Sequence, residues 1–115
     1  MLFRSGFRKI ALALQGVREG SHMGHPDFRA ANARIFASLV EDETVANVKL
    51  TVDQQADLLR DAPTVVEPAA GAWGRGGWTQ INLRGADSEL VGEALTLAWQ
   101  NVAALKPAAR KPAKR

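Results

Sequence analysis

Residues 25–50 read HPDFRAANARIFASLVEDETVANVKL, and this stretch decides the fold class. Its apolar residues recur at every second position, which is typical of strands that bury one face. The predicted inward positions are Phe28, Ile35, Ala37, Leu39, Ala46, Val48 and Leu50. Residues 31–32 and 41–43 are predicted turns, and Asn32 is a residue that tolerates positive φ. The stretch therefore predicts three strands in an antiparallel meander.

Helical patterns flank the meander. On the N-terminal side one apolar stripe predicts a helix that ends at Gly16 or Gly20; its members are Phe3, Phe7, Ile10, Leu14 and Val17. On the C-terminal side, Thr51 and Gln54 have the spacing of a capping box. This predicts a helix that runs to about Ala62, because Pro63 disfavours helix in the residue before it. The buried face of this helix is predicted at Val52, Ala56 and Leu59.

The remaining elements are a short strand at Thr64–Val66, a loop over 67–77, a strand at Trp78–Arg84 and a last helix capped by Asp87. The order is helix, three strands, helix, two strands, helix, without the alternation that marks a parallel sheet. We therefore predict one α+β domain over residues 1–105, with an antiparallel sheet and helices on one face.

Composition narrows the functional classes. The chain has 115 residues and no cysteine, so thiolate chemistry and disulfides are excluded. No apolar run is long enough to cross a membrane, and a cytoplasmic location is expected. The net charge of +3 resides at the end of the chain: residues 106–115 hold five cations and no acid. Residues 1–105 carry 10 Lys and Arg against 12 Asp and Glu, a net charge of −2. The segment 106–115 is predicted to be a disordered basic tail.

Two short motifs could bind a metal or a phosphate. His22-Met-Gly-His25 contains two imidazoles, but the pair lacks the helical i, i+4 spacing, so a hydrogen-bonded structural role is the prediction and no metal is expected. The segment Gly71–Trp78 holds four glycines without the Lys-Ser/Thr of a phosphate loop, and a strand follows it. We expect these glycines to let backbone segments cross closely, with Trp73 and Trp78 clamping a hairpin.

No residue pattern supports catalysis. None of the four serines lies in a G-x-S-x-G turn, and carboxylates are not paired on one face. We therefore expect no enzyme activity, no catalytic residue and no cofactor. The more informative feature is the outward sheet face, predicted to carry three cations and no acid; it comprises Arg34, Phe36, Ser38, Asn47, Lys49, Gln80, Asn82 and Arg84, with Trp78 at its edge.

The order of several segments resembles the MmcQ/YjbR family from about residue 5 to residue 103. They are residues 18–29 (REGSHMGHPDFR), 34–37 (RIFA), 49–50 (KL), 71–78 (GAWGRGGW) and the last helix through Ala98-Trp99. His25, Pro26, Phe28 and Arg29 match the family's H-P-x-F-R segment, and Trp73, Gly74, Gly77 and Trp78 match its G-x-W-G-x-x-G-W segment. The chain departs from the family at Ala31-Asn32, where relatives usually have glycines, and in the basic tail after Val102.

This resemblance implies a small bacterial α+β domain, similar to frataxin-like and secretion-chaperone-like folds and often described as a double-wing DNA-binding motif. It implies no catalytic role for either segment. The first expectation is a DNA-binding domain that contacts phosphates through wing hairpins and the open sheet face, with Arg34, Lys49, Arg75 and Arg84 as the contacts. The alternative is a protein-interaction module, including self-association, without a nucleic-acid role.

Overall fold

A computed structural model describes residues 2–40 and 42–107. The helices are α1 (Arg4–Leu12), α2 (Val52–Asp61), α3 (Gly71–Arg75) and α4 (Ser88–Ala103). The strands are β1 (Arg18–His22), β2 (His25–Arg29), β3 (Ile35–Val40), β4 (Val45–Lys49), β5 (Val66–Pro68) and β6 (Trp78–Asn82). They form one sheet in the order β1-β2-β3-β4-β6-β5, and every neighbouring pair is antiparallel.

The core lies between one face of this sheet and the helices. Helix α4 packs on β3 and β4, and α1 packs beside α4. The ring of Phe7 in α1 meets the ring of Phe28 in β2 edge to face, with centroids 5.4 Å apart. Both side chains are fully buried. Within residues 2–40 and 42–107 the other face of the sheet carries no long helix, so the predicted α+β class, with helices on one face of an antiparallel sheet, is confirmed.

The N-terminal region differs from its prediction, because α1 ends at Leu12 and an additional strand follows it. Gly16 takes a φ of +75°, which turns the chain into β1. This strand lies at the sheet edge and its side chains are mostly exposed, so it lacks the apolar alternation that would reveal it. Arg8 of α1 holds it in place by donating to Glu19.

The predicted meander is confirmed as β2, β3 and β4, with two corrections. In the β2–β3 connection Ala33, not Asn32, has positive φ. The Asn32 side chain instead donates to the carbonyl oxygens of Val102 and Leu105 at 2.8 and 3.1 Å. The Asn32 amide thereby ties the β2–β3 hairpin to the end of α4.

The second correction concerns β3. The pairing register shifts between Phe28 and Arg29, because Phe28 pairs with Ala37 whereas Arg29 pairs with Ile35. The extra residue, Phe36, is fully buried, and Ile35 lies on the open face. The predicted orientations of these two residues were therefore wrong, since a β-bulge reverses the alternation that the sequence pattern assumes.

The capping box of α2 is confirmed: Thr51 Oγ1 accepts from the Gln54 backbone, and Gln54 Oε1 accepts from the Thr51 backbone. Its buried face is different from the prediction, because Gln55 and Leu58 face the core while Val52 is exposed. The helix is amphipathic, but a buried polar residue occupies the position that hydrophobicity alone would assign to solvent.

The segment after α2 was only partly predicted. The short strand β5 begins at Val66 rather than ending there, and helix α3 forms inside the predicted loop. The last helix begins where Asp87 Oδ1 accepts from the Leu90 backbone at 2.8 Å, as predicted. Lys106 and Pro107 are exposed, and the rest of the predicted tail, 108–115, lies outside the described residues. No helix within residues 2–40 and 42–107 is long and apolar enough to cross a membrane.

Candidate binding groove on the open sheet face

A groove of about 410 Å³ lies on the open face of the sheet. Its lining residues are His22, Ile35, Ser38, Asn47, Ala69, Ala70, Trp73, Trp78 and Gln80. Ser38, Asn47 and Gln80 form its floor, because they are register partners on the adjacent strands β3, β4 and β6. Each of them carries a side chain that can both donate and accept hydrogen bonds. The lining contains no carboxylate.

Two tryptophans form one wall of the groove. Trp78 lies at the start of β6, and Trp73 comes from α3; their ring centroids are 6.4 Å apart in an edge-to-face arrangement. The Trp73 side chain is 70% exposed, an unusual position for so large an apolar group. Lys49 Nζ lies 5.9 Å from the centroid of Trp78, within cation–π range, and donates to the carbonyl oxygen of Gly76 at 3.0 Å.

Gln55 of α2 fixes this wall from the core side. Its Nε2 lies 3.0 Å from the carbonyl oxygens of Gly74 and Trp78 and 3.1 Å from Thr79 Oγ1. One buried amide thereby joins α2 to the end of α3 and the start of β6. The short helix that carries Trp73 is too short to be stable alone, so this clamp holds the tryptophan in position.

Gln55→Leu is expected to lower the free energy of unfolding by about 2 kcal/mol, because buried carbonyl oxygens lose their donor. Urea unfolding followed by tryptophan fluorescence measures this loss. Gln100→Leu makes the same replacement at an exposed position of α4 and is expected to stay within about 0.5 kcal/mol of the wild type. Equal effects of the two replacements would contradict a clamping role for Gln55.

The opposite wall is held by an ionic network around Asp27. This carboxylate is fully buried; its Oδ1 accepts from Arg29 Nε at 2.8 Å and its Oδ2 lies 2.7 Å from His22 Nδ1. Gly20 lies opposite Asp27, and a side chain there would crowd the carboxylate and the guanidinium. Burial raises the pKa of Asp27, but the hydrogen bonds from Arg29 and His22 outweigh it, so the net pKa lies below its ordinary value.

The tautomer of His22 follows from this network. An ionised carboxylate only accepts, so Nδ1–H of His22 donates to Asp27. The side chain of His22 is 44% exposed and lines the groove. The predicted hydrogen-bonded role of this histidine is confirmed.

The four cations predicted to contact phosphate lie in different places. Lys49 lies against the tryptophan wall as the register partner of Trp78, whereas Arg75 is an exposed residue of α3 two positions after Trp73 and therefore on a different side of that helix. Arg34 turns toward the helix side, where its Nε donates to the carbonyl oxygen of Lys106 at 2.7 Å. Arg84 lies in the turn after β6, beyond Asn82, which is itself about 13 Å along the strand from Trp78, the partner of Lys49. Of the four cations, Lys49 is therefore the one placed against the tryptophan wall.

The charge of the open sheet face also differs from the prediction. Glu67 of β5 pairs with Gln80, so one exposed carboxylate lies on this face beside the groove, and Asp27 lies on it under Arg29 and His22. The expectation of a face without acids was wrong. It failed for Glu67 because β5 was predicted to end at Val66, which left the glutamate in a loop.

The motif residues have structural roles. His25 pairs with His22 at the β1–β2 turn, Pro26 pairs with Ser21, and Phe28 fills the core. Arg29 binds Asp27. In the second segment, the backbone at Gly74 and Gly77 passes too close to other chain segments for a side chain.

No group of three or more His, Cys, Asp or Glu side chains placed to hold a metal ion occurs within residues 2–40 and 42–107.

Sequence reasoning missed the roles of Asp27 and Gln55 in holding the walls of the groove. Asp27 and Arg29 are two positions apart on one strand and so share a face, a spacing from which their ion pair could have been predicted. Gln55 gave no such signal, because its three partners come from residues 19 to 24 positions away.

An open antiparallel sheet, helices on one face and a groove with an aromatic wall define a small α+β domain. The chain belongs to the YjbR family, whose family model matches residues 12–101. A crystal structure of the Deinococcus radiodurans protein DR2400, with a DUF419 domain, is similar with a TM-score of 0.77 and 19% identity, over 90% of this chain and 80% of that one.

A second crystal structure, of a protein from Pseudomonas syringae, is similar with a TM-score of 0.69 and 13% identity, over 87% of this chain and 98% of that one. At these identities the two structures show the shared fold alone. No curated protein matches the sequence.

Proposed function

We propose that the protein is a non-enzymatic DNA-binding domain that holds a single-stranded segment in the groove on its open sheet face. The observation that carries the proposal is the wall formed by Trp73 and Trp78, with Lys49 against the second ring. Exposed aromatic rings bordered by cations suit unpaired bases, which stack on the rings while their phosphates meet the cations.

The charge distribution favours a single strand over a duplex. Residues 1–105 have a net charge of −2, and of the four predicted contacts Lys49 is the one placed against the tryptophan wall. A duplex-binding surface ordinarily presents many cations on one face. A base seated in a groove draws affinity from stacking and hydrogen bonding, which need fewer cations.

Trp73→Ala in the full chain is expected to weaken binding of a labelled ten-nucleotide single strand about tenfold, through loss of one stacking surface. Fluorescence anisotropy measures the dissociation constant. Phe3→Ala removes another exposed aromatic ring, far from the groove, and is the matched control with unchanged affinity. Equal losses in both variants would contradict the proposed site.

The salt dependence separates the groove from the basic tail. In a chain that ends at Pro107, which keeps every described element, one phosphate contact at Lys49 gives a slope of log K against log salt of about −0.7. The full chain adds four cations and is expected to show a steeper slope. Binding by the full chain alone would place the affinity in the tail and contradict the groove.

A protein-interaction role is the second candidate, favoured by the edge of the sheet. Strand β1 is the outermost strand and pairs with β2 on one side, which leaves its other edge available for a strand of a second molecule. Met23, at the turn that follows it, is 91% exposed. A protein without DNA affinity that sediments as a dimer would favour this role over the first.

A further inference from the structure

Asn47 is the unusual residue of the groove floor. Its Oδ1 is buried and has no hydrogen-bond donor, and no other buried side-chain nitrogen or oxygen within residues 2–40 and 42–107 is in that state. Buried acceptors are nearly always paired in folded proteins, and an unpaired one calls for an explanation. No protein group pairs with Asn47 Oδ1 within residues 2–40 and 42–107, and rotation about the χ2 torsion is soft, so Oδ1 can turn toward a ligand in the groove.

The second polar group at the groove is the ring of His22. Its Nδ1 is engaged by Asp27, which leaves Nε2 as the ring nitrogen that can contact a ligand. Asn47 Oδ1 calls for a hydrogen-bond donor from that ligand. That donor is neutral, because no carboxylate lines the groove and Glu67, the exposed carboxylate beside it, is separated from Asn47 by Gln80 on the intervening strand.

The size and the wall of the groove complete the description of the ligand. A volume of about 410 Å³ is at the small end for ligand sites and suits one nucleotide unit rather than a folded partner. Trp73 and Trp78 favour a flat aromatic ring. A flat ring with a neutral N–H₂ donor describes an amino-bearing nucleobase.

We infer that the groove reads one unpaired base through its exocyclic amino group, which donates to Asn47 Oδ1 while the ring packs against the tryptophan wall; this inference rests on the proposed function. Adenine and cytosine carry this amino group beside a ring nitrogen that accepts. Ser38 and Gln80 flank Asn47 on the floor and can donate to that nitrogen.

The test compares two labelled single strands of ten nucleotides, one of adenine and one of purine, which has the same ring system without the amino group. The full chain is expected to bind the adenine strand about tenfold more tightly, the effect of one buried hydrogen bond. Asn47→Leu is expected to reduce the difference to less than twofold. The strand comparison uses the wild type, so it stands even if the variant fails to fold.

The outcomes separate the inference from the proposed function. Equal binding of the two strands, with both weakened by Trp73→Ala, would overturn the inference and leave the proposed function in place. A preference for adenine that Asn47→Leu does not change would overturn the assignment to Asn47. Absence of binding to either strand would overturn both.

Discussion

Gly77→Ala is expected to lower the free energy of unfolding by at least about 3 kcal/mol. Gly77 has a φ of +111°, and a Cβ at this position would overlap the carbonyl oxygen of Leu50. The crossing cannot open easily, because the Leu50 amide donates to the Gly77 carbonyl at 3.2 Å and Thr79 Oγ1 donates to the same oxygen at 2.8 Å. In the variant, the backbone strain at position 77 and the overlap of the new Cβ with the Leu50 carbonyl would therefore both arise where these two chain segments cross. Urea unfolding measures the loss.

Gly74→Ala is the companion variant, because a Cβ there would overlap the carbonyl oxygen of Ala69. Gly76 lies between the two and provides the control. A Cβ at Gly76 would meet its nearest atom at 3.5 Å, an ordinary contact, and its φ is −88°. Gly76→Ala should leave stability unchanged or slightly higher. A large loss in Gly76→Ala, or none in Gly77→Ala, would contradict the close crossing.

Asp27→Asn is expected to lower the free energy of unfolding by about 2–3 kcal/mol, because Arg29 and His22 lose a buried charge partner. The figure is below that of a fully buried pair, since the Arg29 side chain reaches solvent. Asp57→Asn breaks an exposed ion pair with Arg60 in α2 and is the matched control, with little change expected. Similar losses in both variants would contradict a special role for Asp27.

The same residue determines part of the acid stability. The folded pKa of Asp27 lies below that of the unfolded chain, which is about 4. Its contribution is complete above about pH 4 and is lost as the pH falls through the folded pKa, because the unfolded state then binds the additional proton. Urea unfolding at pH 6 and at pH 3 should show a smaller acid loss in Asp27→Asn than in the wild type.

The sequence predicted those elements whose signals are local. Apolar and polar residues alternate in the strands of residues 25–50, a capping box precedes α2, and Asp87 caps α4. Each of these elements lies where the sequence predicted it. Edge strand β1 and short helix α3 were not predicted, because neither buries enough apolar surface to produce a periodic pattern.

The groove was less accessible to prediction than the fold. The outward positions Trp78 and Gln80 were assigned correctly by alternation. The wall and the floor, however, depend on pairing between distant segments, such as Asn47 beside Gln80 and Gln55 beneath Gly74. A single sequence does not specify the pairing register of such segments. One β-bulge was enough to reverse the faces predicted for Ile35 and Phe36.

Under the proposed function, the bulge in β3 also lowers the entropy cost of binding a ligand. It places Ile35, whose branched side chain has few rotamers, beside the groove, and it anchors Phe36 in the core beneath. The opposite wall consists of tryptophan rings, which have only two side-chain torsions each. A ligand that enters meets surfaces already ordered, so little side-chain freedom is lost on association and more of the contact free energy remains as affinity.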